Sequence, residues 1–247
     1  MLTRQLKGWN EKETIEYYST SRIKYTDLYE SEKYFLTNNF LFAINNVLDV
    51  GCAVGGMYNI FKELNEDITY TGLDVSEQSI KIAKGLYDCK YTEFHNYDGI
   101  SSFPLNNKKY NLVFSSGVMH LIDNYKDIFS QMLDSADKYL LVDFRLTTDK
   151  SYTGKFNFAF LDKRKISNYT NYHVLNFTEL IEYFQEFKKI SNIEIYGYKG
   201  GASDMSEGID DVYMIFFKIT LSNTSYDKPN LVFYNKELET IFMKKEN

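Results

Sequence analysis

Asn46-Val-Leu-Asp-Val-Gly-Cys-Ala-Val-Gly-Gly56 is the stretch that decides the fold. Its first half, Asn46 to Val50, is a short apolar run of the kind that forms a parallel strand buried on both faces. Its second half gathers Gly51, Ala53, Gly55 and Gly56 just before the helical pattern of Met57 to Leu64. A turn almost free of side chains, set between a first strand and a first helix, lets a cofactor approach the backbone closely.

Working outward, Ile68 to Asp74 reads as a second strand that ends in an acid, and Ser76 to Lys84 as a second helix. Lys90 to Phe94 is a weak third strand, Tyr110 to Ser115 a fourth and Tyr139 to Phe144 a fifth, with a helix from Lys126 to Leu133 between the last two. Strands alternating with helices at this spacing give βαβ units and a parallel sheet. Upstream, Glu11 to Tyr18 and Ser31 to Ala43 read as helices, the second opened by Ser31. From Arg145 to Asn176 the pattern dissolves into a polar, aromatic-rich stretch. Asn176 and Glu179 then form a capping-box-like start to a helix running to Phe187. Asn192 to Tyr198 and Val212 to Ile219 are strands with no helix between them, which implies an antiparallel hairpin at the sheet edge. Leu231 to Tyr234 offers one more strand.

Composition narrows the function classes. The 247 residues are 44% hydrophobic and 25% charged, as expected of a folded globular chain. Lys and Arg number 28 against 34 Asp and Glu, a net charge of -6, which argues against a nucleic-acid binder that must replace phosphate counterions. Cys52 and Cys89 form no C-x-x-C pair and have no zinc-ligand spacing with His95, His120 or His173, so no metal site is expected. His95, in or beside a strand, reads as structural. The cysteine usage fits a reducing cytosol, and no apolar run reads as a signal peptide or a membrane span.

On the glycine turn and Asp74 alone, the site holds either a nicotinamide dinucleotide or S-adenosylmethionine (SAM), because an acid at the end of the second strand accepts from the hydroxyls of a ribose. The surrounding residues separate the two. Val47-Leu-Asp49-Val-Gly51-x-Ala53-x-Gly55 resembles motif I of class I SAM-dependent methyltransferases, with Ala53 at the middle glycine and Asp49 at the acid that lies near the methionine amino group. Tyr97-Asp98-Gly99 resembles the family's adenine loop, with Phe103-Pro104 following. Val113-Phe-Ser115-Ser-Gly117-Val-Met-His120-Leu-Ile122 resembles the segment after its fourth strand. Leu28 to Lys33 and Asp143 to Thr147 are similar to bacterial methyltransferases, some in surface-glycan pathways. The resemblance implies a doubly wound, seven-stranded, mostly parallel α/β sheet with an antiparallel last strand, an N-terminal helical cap and an inserted substrate cap. The corresponding divisions are 1–45, 46–145, 146–190 and 191–247. It implies SAM as cofactor, S-adenosylhomocysteine (SAH) as product, and a cofactor site of Asp49, Gly51, Cys52, Ala53, Gly55, Asp74, Val75, Tyr97, Asp98, Gly99, Ser115 and Ser116. Tyr17, Tyr18, Arg22 and Tyr25 would fold over the cofactor, with Arg22 meeting its carboxylate.

Three residues are candidates for chemistry. His120, one turn past the fourth strand, has the ordinary pKa for proton transfer near neutrality; otherwise it shapes the pocket or caps a helix. Asp143 and Arg145 point the same way from the fifth strand. Asp143 is an alternative base, and Arg145 would hold a phosphate or carboxylate; otherwise they form an internal ion pair. Tyr152, Phe156, Phe158, Phe160, Tyr169, Tyr172 and His173 would cap the substrate. Lys163-Arg164-Lys165 would attract an anionic or sugar-linked acceptor, or form a solvated basic loop.

The leading expectation is O-methylation of a small molecule such as a sugar, a nucleotide-linked sugar or a surface-polysaccharide precursor. N-methylation of another metabolite, an NAD-dependent oxidoreductase and a non-catalytic SAM-binding regulator are the alternatives. A short-chain dehydrogenase would need Y-x-x-x-K after the fourth strand, whereas the two matches, Tyr29 with Lys33 and Tyr58 with Lys62, lie too early. An amino-base methyltransferase would need an N/D-P-P-Y/F loop where Ser115-Ser-Gly-Val stands.

Overall fold

Before the sheet come helices α1 (Lys12–Thr20), α2 (Glu30–Phe35) and α3 (Asn38–Leu41). The computed structural model describes residues 7–158, 169–201 and 206–243. The helix expected over Ser31 to Ala43 is thus two short ones, broken where Leu36 leaves helical geometry at ψ 73°. Its start also differs. Ser31 is buried inside the first turn, and the Tyr29 amide donates to the Glu32 carboxylate at 2.8 Å, so Glu32 organises the entry.

Strands β1 (Asn46–Val50), β2 (Thr69–Asp74), β3 (Thr92–Asn96), β4 (Tyr110–Ser115) and β5 (Ala136–Thr147) run parallel in the order β3-β2-β1-β4-β5. The links are α4 (Met57–Leu64), α5 (Glu77–Leu86) and α6 (Tyr125–Ser135). Alternation in β1 divides the core. Leu48 and Val50 face one layer with Phe129 and Met132 of α6, while Val47 faces the other with Ile60 and Phe61 of α4 and Ile80 of α5. Ser76 caps α5, its hydroxyl accepting from the Ser79 amide at 3.1 Å.

Past β5 the expected irregular stretch is a hairpin. Strands β6 (Tyr152–Asn157) and β7 (Tyr169–Asn176) pair antiparallel, and β7 pairs parallel with the end of β5, Leu146 opposite Leu175. Phe156, Phe158, Tyr172 and Val174 join Leu121 in a third cluster, against which Trp9 packs. Phe160 and Lys163-Arg164-Lys165 lie outside the described residues. Helix α7 (Phe177–Gln185) begins at Asn176, whose side chain accepts from the Glu179 amide at 3.0 Å. The Glu179 carboxylate does not close the box; it accepts from the Ser151 hydroxyl at 2.7 Å, and that hydroxyl accepts from the Asn176 amide.

Strand β8 (Ile190–Lys199) follows, then the two-residue β9 (Ser206–Glu207), which pairs with β6. Strand β10 (Tyr213–Leu221) inserts antiparallel between β5 and β8. Strand β11 (Asn230–Phe233) then pairs parallel with β8, so the β8/β10 hairpin is interior to the sheet rather than its edge. Helix α8 (Lys236–Phe242) closes the described chain.

Candidate functional site

The carboxyl edge of β1, β2 and β4 opens on a cavity of about 310 Å³, within the roughly 300–1,000 Å³ usual for small-molecule sites. Its floor is the glycine turn. Gly51 at φ 86° and Ala53 at φ 47° take left-handed geometry, and the Gly51 and Cys52 amides both donate to the Leu73 carbonyl, at 2.8 and 3.0 Å. A Cβ at Gly51 would meet Val118 Cγ2 at 2.2 Å, so only glycine lets the turn pass under the loop that carries His120. Gly55, at φ 83°, packs against Phe94 and Tyr87 outside the cavity.

Two acids stand on this floor. Asp74 ends β2 and accepts from the Ala53 amide at 2.9 Å and the Ser76 amide at 2.8 Å; burial pushes its pKa up against those bonds. Asp49 is 2% exposed and accepts from the Tyr70 hydroxyl. Burial raises its pKa to about 7, with the Tyr70 bond pulling the other way.

The far wall comes from the segment after β4 and from β5 and β7. His120 lies on a short 3-10 turn, Met119–Leu121, which β7 clasps through the Thr170 hydroxyl donating to the Leu121 carbonyl at 3.0 Å. Its ring is 4.8 Å from that of Tyr172, and its buried Nδ1 has no hydrogen-bond partner among the described residues. Burial first, then Arg145 and His173, hold its pKa well below the ordinary value, so the imidazole is neutral. Arg145 Nη1 donates to Asp143 at 2.5 Å, and Arg145 Nε donates to the Tyr172 hydroxyl at 3.2 Å. Asp143 also accepts from the Gly117 amide at 2.7 Å. Asp143 and Arg145 thus form an ion pair, with Arg145 also on the cavity wall.

Helix α1 roofs the cavity with Thr14, Ile15, Tyr17 and Tyr18, and Arg22 follows at φ 59°. Arg22 donates to Glu32, which also accepts from the Ser116 hydroxyl at 2.5 Å. The arginine expected at a ligand carboxylate therefore already holds a buried one. Tyr25 does not line the cavity.

Of the expected cofactor residues, Arg22, Asp49, Gly51, Cys52, Ala53, Asp74, Val75, Tyr97 and Ser116 line the cavity. Ser115 does not: its hydroxyl ties β4 to β1 by donating to the Val50 carbonyl at 2.8 Å. Asp98 is exposed and accepts from the Ser101 hydroxyl and from the Ile100 and Ser101 amides, which lowers its pKa to about 2. Gly99, at φ 76°, shapes the same turn. Among expected catalytic residues, His120 and Arg145 reach the cavity, while Asp143 stands behind Arg145. His95 sits on β3 with its Nε2 3.8 Å from Glu93, away from the cavity. Sequence reading missed Trp9, Thr14, Ser21 and Ser76 on the wall and Glu32 behind it. Ser76, a serine at the start of the expected helix, carried a signal; the others carried none. No group of acids, histidines and cysteines suited to a metal occurs among the described residues. Among them, too, no helix is long and apolar enough to cross a membrane.

Residues 43–154 match the family model described as a methyltransferase domain. No curated protein matches the chain. Solved structures do, all at low identity. The plantazolicin methyltransferase BpumL in complex with SAH is 16% identical, with 90% of this chain and 95% of that one covered and a TM-score of 0.56. The DhpI–SAH complex is 13% identical, with 88% and 95% covered and a TM-score of 0.55. The N-terminal domain of EvdMO1, in the presence of SAH and D-fucose, is 10% identical, with 75% and 82% covered and a TM-score of 0.56. Residues 43–154 thus match a methyltransferase-domain model, and the chain shares the fold of these solved structures.

Proposed function

We propose that the protein transfers the methyl group of SAM to a hydroxyl of a small molecule, with His120 as the base. The observation that carries this reading is the meeting, in one cavity, of the glycine turn, Asp74 and a neutral histidine whose Nδ1 has no partner among the described residues. The cavity suits such a donor. Thr14 Oγ1, Ser21 Oγ and His120 Nδ1 are buried without partners among the described residues, and all three belong to wall residues. Buried polar groups of this kind are normally satisfied. The structural neighbours include SAH complexes and an O-methyltransferase from a Brevibacillus brevis polyketide multienzyme, which supports donor and reaction type.

In this account Asp74 accepts from the ribose hydroxyls, Asp49 faces the ammonium of the methionine moiety, and Tyr97 borders the adenine. Helix α1, in the division 1–45, covers the donor, and the β6/β7 hairpin, in the division 146–190, covers the acceptor. SAM supplies a methyl group already activated on a sulfonium. The protein's share is alignment and removal of one proton. The acceptor oxygen forms its bond to the methyl carbon as the carbon–sulfur bond breaks, and His120 takes the hydroxyl proton. His120 would carry the positive charge of that proton while the donor supplies the methyl group. Two unpaired cysteines, one buried and one exposed, support a reducing cytosol as its place of work.

The test is His120→Gln and His120→Ala in single-turnover transfer of labelled methyl, with SAH affinity measured in parallel. A loss of about 10²–10⁴-fold in rate, with SAH affinity kept, is expected of a general base. An unchanged rate would remove His120 from the mechanism.

A further inference from the structure

The charged side chains on the cavity wall, among the described residues, are Arg22, Arg145, Asp49 and Asp74. Each arginine has its own carboxylate behind it: Arg22 holds Glu32, and Arg145 holds Asp143. Those carboxylates are 1% and 5% exposed, so each arginine is paired inside the protein, away from screening water, although Arg145 still acts on His120. The wall charges without an ion-pair partner are therefore acidic, and they stand at the glycine turn. The donor's sulfonium and ammonium, set against its one carboxylate, bring one net positive charge toward them. Among the described wall residues no cation remains for a negatively charged acceptor.

At the other end the polar groups on offer are His120 and Tyr172. Arg145 Nε donates to the Tyr172 oxygen, which orients the phenol so that its own proton is free to donate elsewhere. Around them stand the rings of Trp9 and Phe156. Tyr172 is 8% exposed, so a group bound there is largely desolvated.

We infer that the acceptor is an uncharged ring-bearing alcohol or phenol, with Tyr172 donating to the oxygen that is methylated and His120 accepting its proton. Carboxylates and phosphates are disfavoured at the described wall, where Asp143 already pairs with Arg145 and Glu32 with Arg22. This rests on the SAM reading of the same cavity. Tyr172 is thereby a substrate-contacting residue, and Arg145 is the positioning residue that holds it.

The experiment uses SAH-saturated protein and two matched pairs of probes followed by ligand-observed NMR. The pairs are catechol against 3,4-dihydroxybenzoate, and methyl glucopyranoside against glucuronate. The expected result is that the neutral member of at least one pair binds about tenfold or more tightly than its anion. Which pair responds distinguishes an aromatic from a sugar acceptor. Tyr172→Phe should weaken the neutral probe about fivefold, the worth of one hydrogen bond. Asp143→Asn, which uncovers the Arg145 charge, should improve the anion relative to the neutral probe. Equal or tighter binding of the anion by the unaltered protein, or failure of both neutral probes to bind, would overturn the inference. SAH binding is titrated first, and its absence would overturn the donor reading beneath it.

Discussion

The carboxylate of Asp74 accepts a hydrogen bond from the Ala53 amide at 2.9 Å, so the acid at the end of β2 fastens the glycine turn as well as facing the cavity. It holds the Ser76 amide too, at 2.8 Å. Asp74→Ala therefore removes two structural bonds together with the ribose acceptor. It should lower stability by about 1–3 kcal/mol, for the unsatisfied amides, and abolish donor binding. Asp74→Asn keeps one acceptor oxygen and should lose affinity with a smaller loss of stability. Urea denaturation beside calorimetric titration separates the two effects.

The turn makes unequal demands on its small residues. Gly51→Ala would drive a Cβ into Val118 and strain a φ of 86°, and it should unfold the turn or cost about 2 kcal/mol or more. Ala53 already sits at φ 47°. Ala53→Gly relieves that conformation and loosens the unfolded chain, so stability should change by less than about 1 kcal/mol. Thermal melts of both variants check this asymmetry.

Asp49 links donor binding to pH. Its folded pKa, about 7, is raised above the ordinary 3.8, so its contribution to stability is full below 3.8 and is lost as pH rises through about 7. Asp49→Asn, which never ionises, should melt at higher temperature than the unaltered protein at pH 8, with the gap closing toward pH 5. The donor ammonium favours the ionised acid, so SAM affinity should rise from about pH 6 to pH 8, by up to about tenfold per unit below the pKa. The Asp49→Asn variant should bind SAM more weakly and with no such rise. Calorimetry in buffers of different ionisation heat would also register the proton released on binding.

Glu32 joins the N-terminal segment to the core through Arg22, Ser116 and the Tyr29 amide. Removing one member of a buried pair leaves the other charged and unpaired. Glu32→Ala should therefore cost about 3–5 kcal/mol, and helix α1 should exchange its amide hydrogens faster. Hydrogen exchange followed by mass spectrometry measures both.

The parallel half of the sheet was legible because each strand carries its own signal. Asn46–Val50, Met57–Leu64 and Tyr110–Ser115 have the bounds their apolar runs predict. The β6/β7 hairpin was not read, although Tyr152, Gly154, Phe156 and Phe158 alternate with polar residues at period two. Exposed Thr153 and Lys155, with the buried polar Asn157 beside them, make that alternation resemble a loop. The floor of the site was legible through glycine spacing and the acid that ends β2. The charge-neutralising partners were not: Glu32 lies in a polar helix and is brought to Arg22 only by tertiary packing. Asp98 shows the converse, since a motif residue turned its carboxylate to its own loop, where Ser101 supplied donors that the motif does not specify.

The most direct test of the donor assignment is calorimetric titration of the purified protein with SAM, SAH and NAD, repeated on Asp74→Asn. The account predicts saturable, micromolar-range binding of SAM and SAH, weakened by the substitution, and none of NAD. Binding of NAD without SAM or SAH would contradict it.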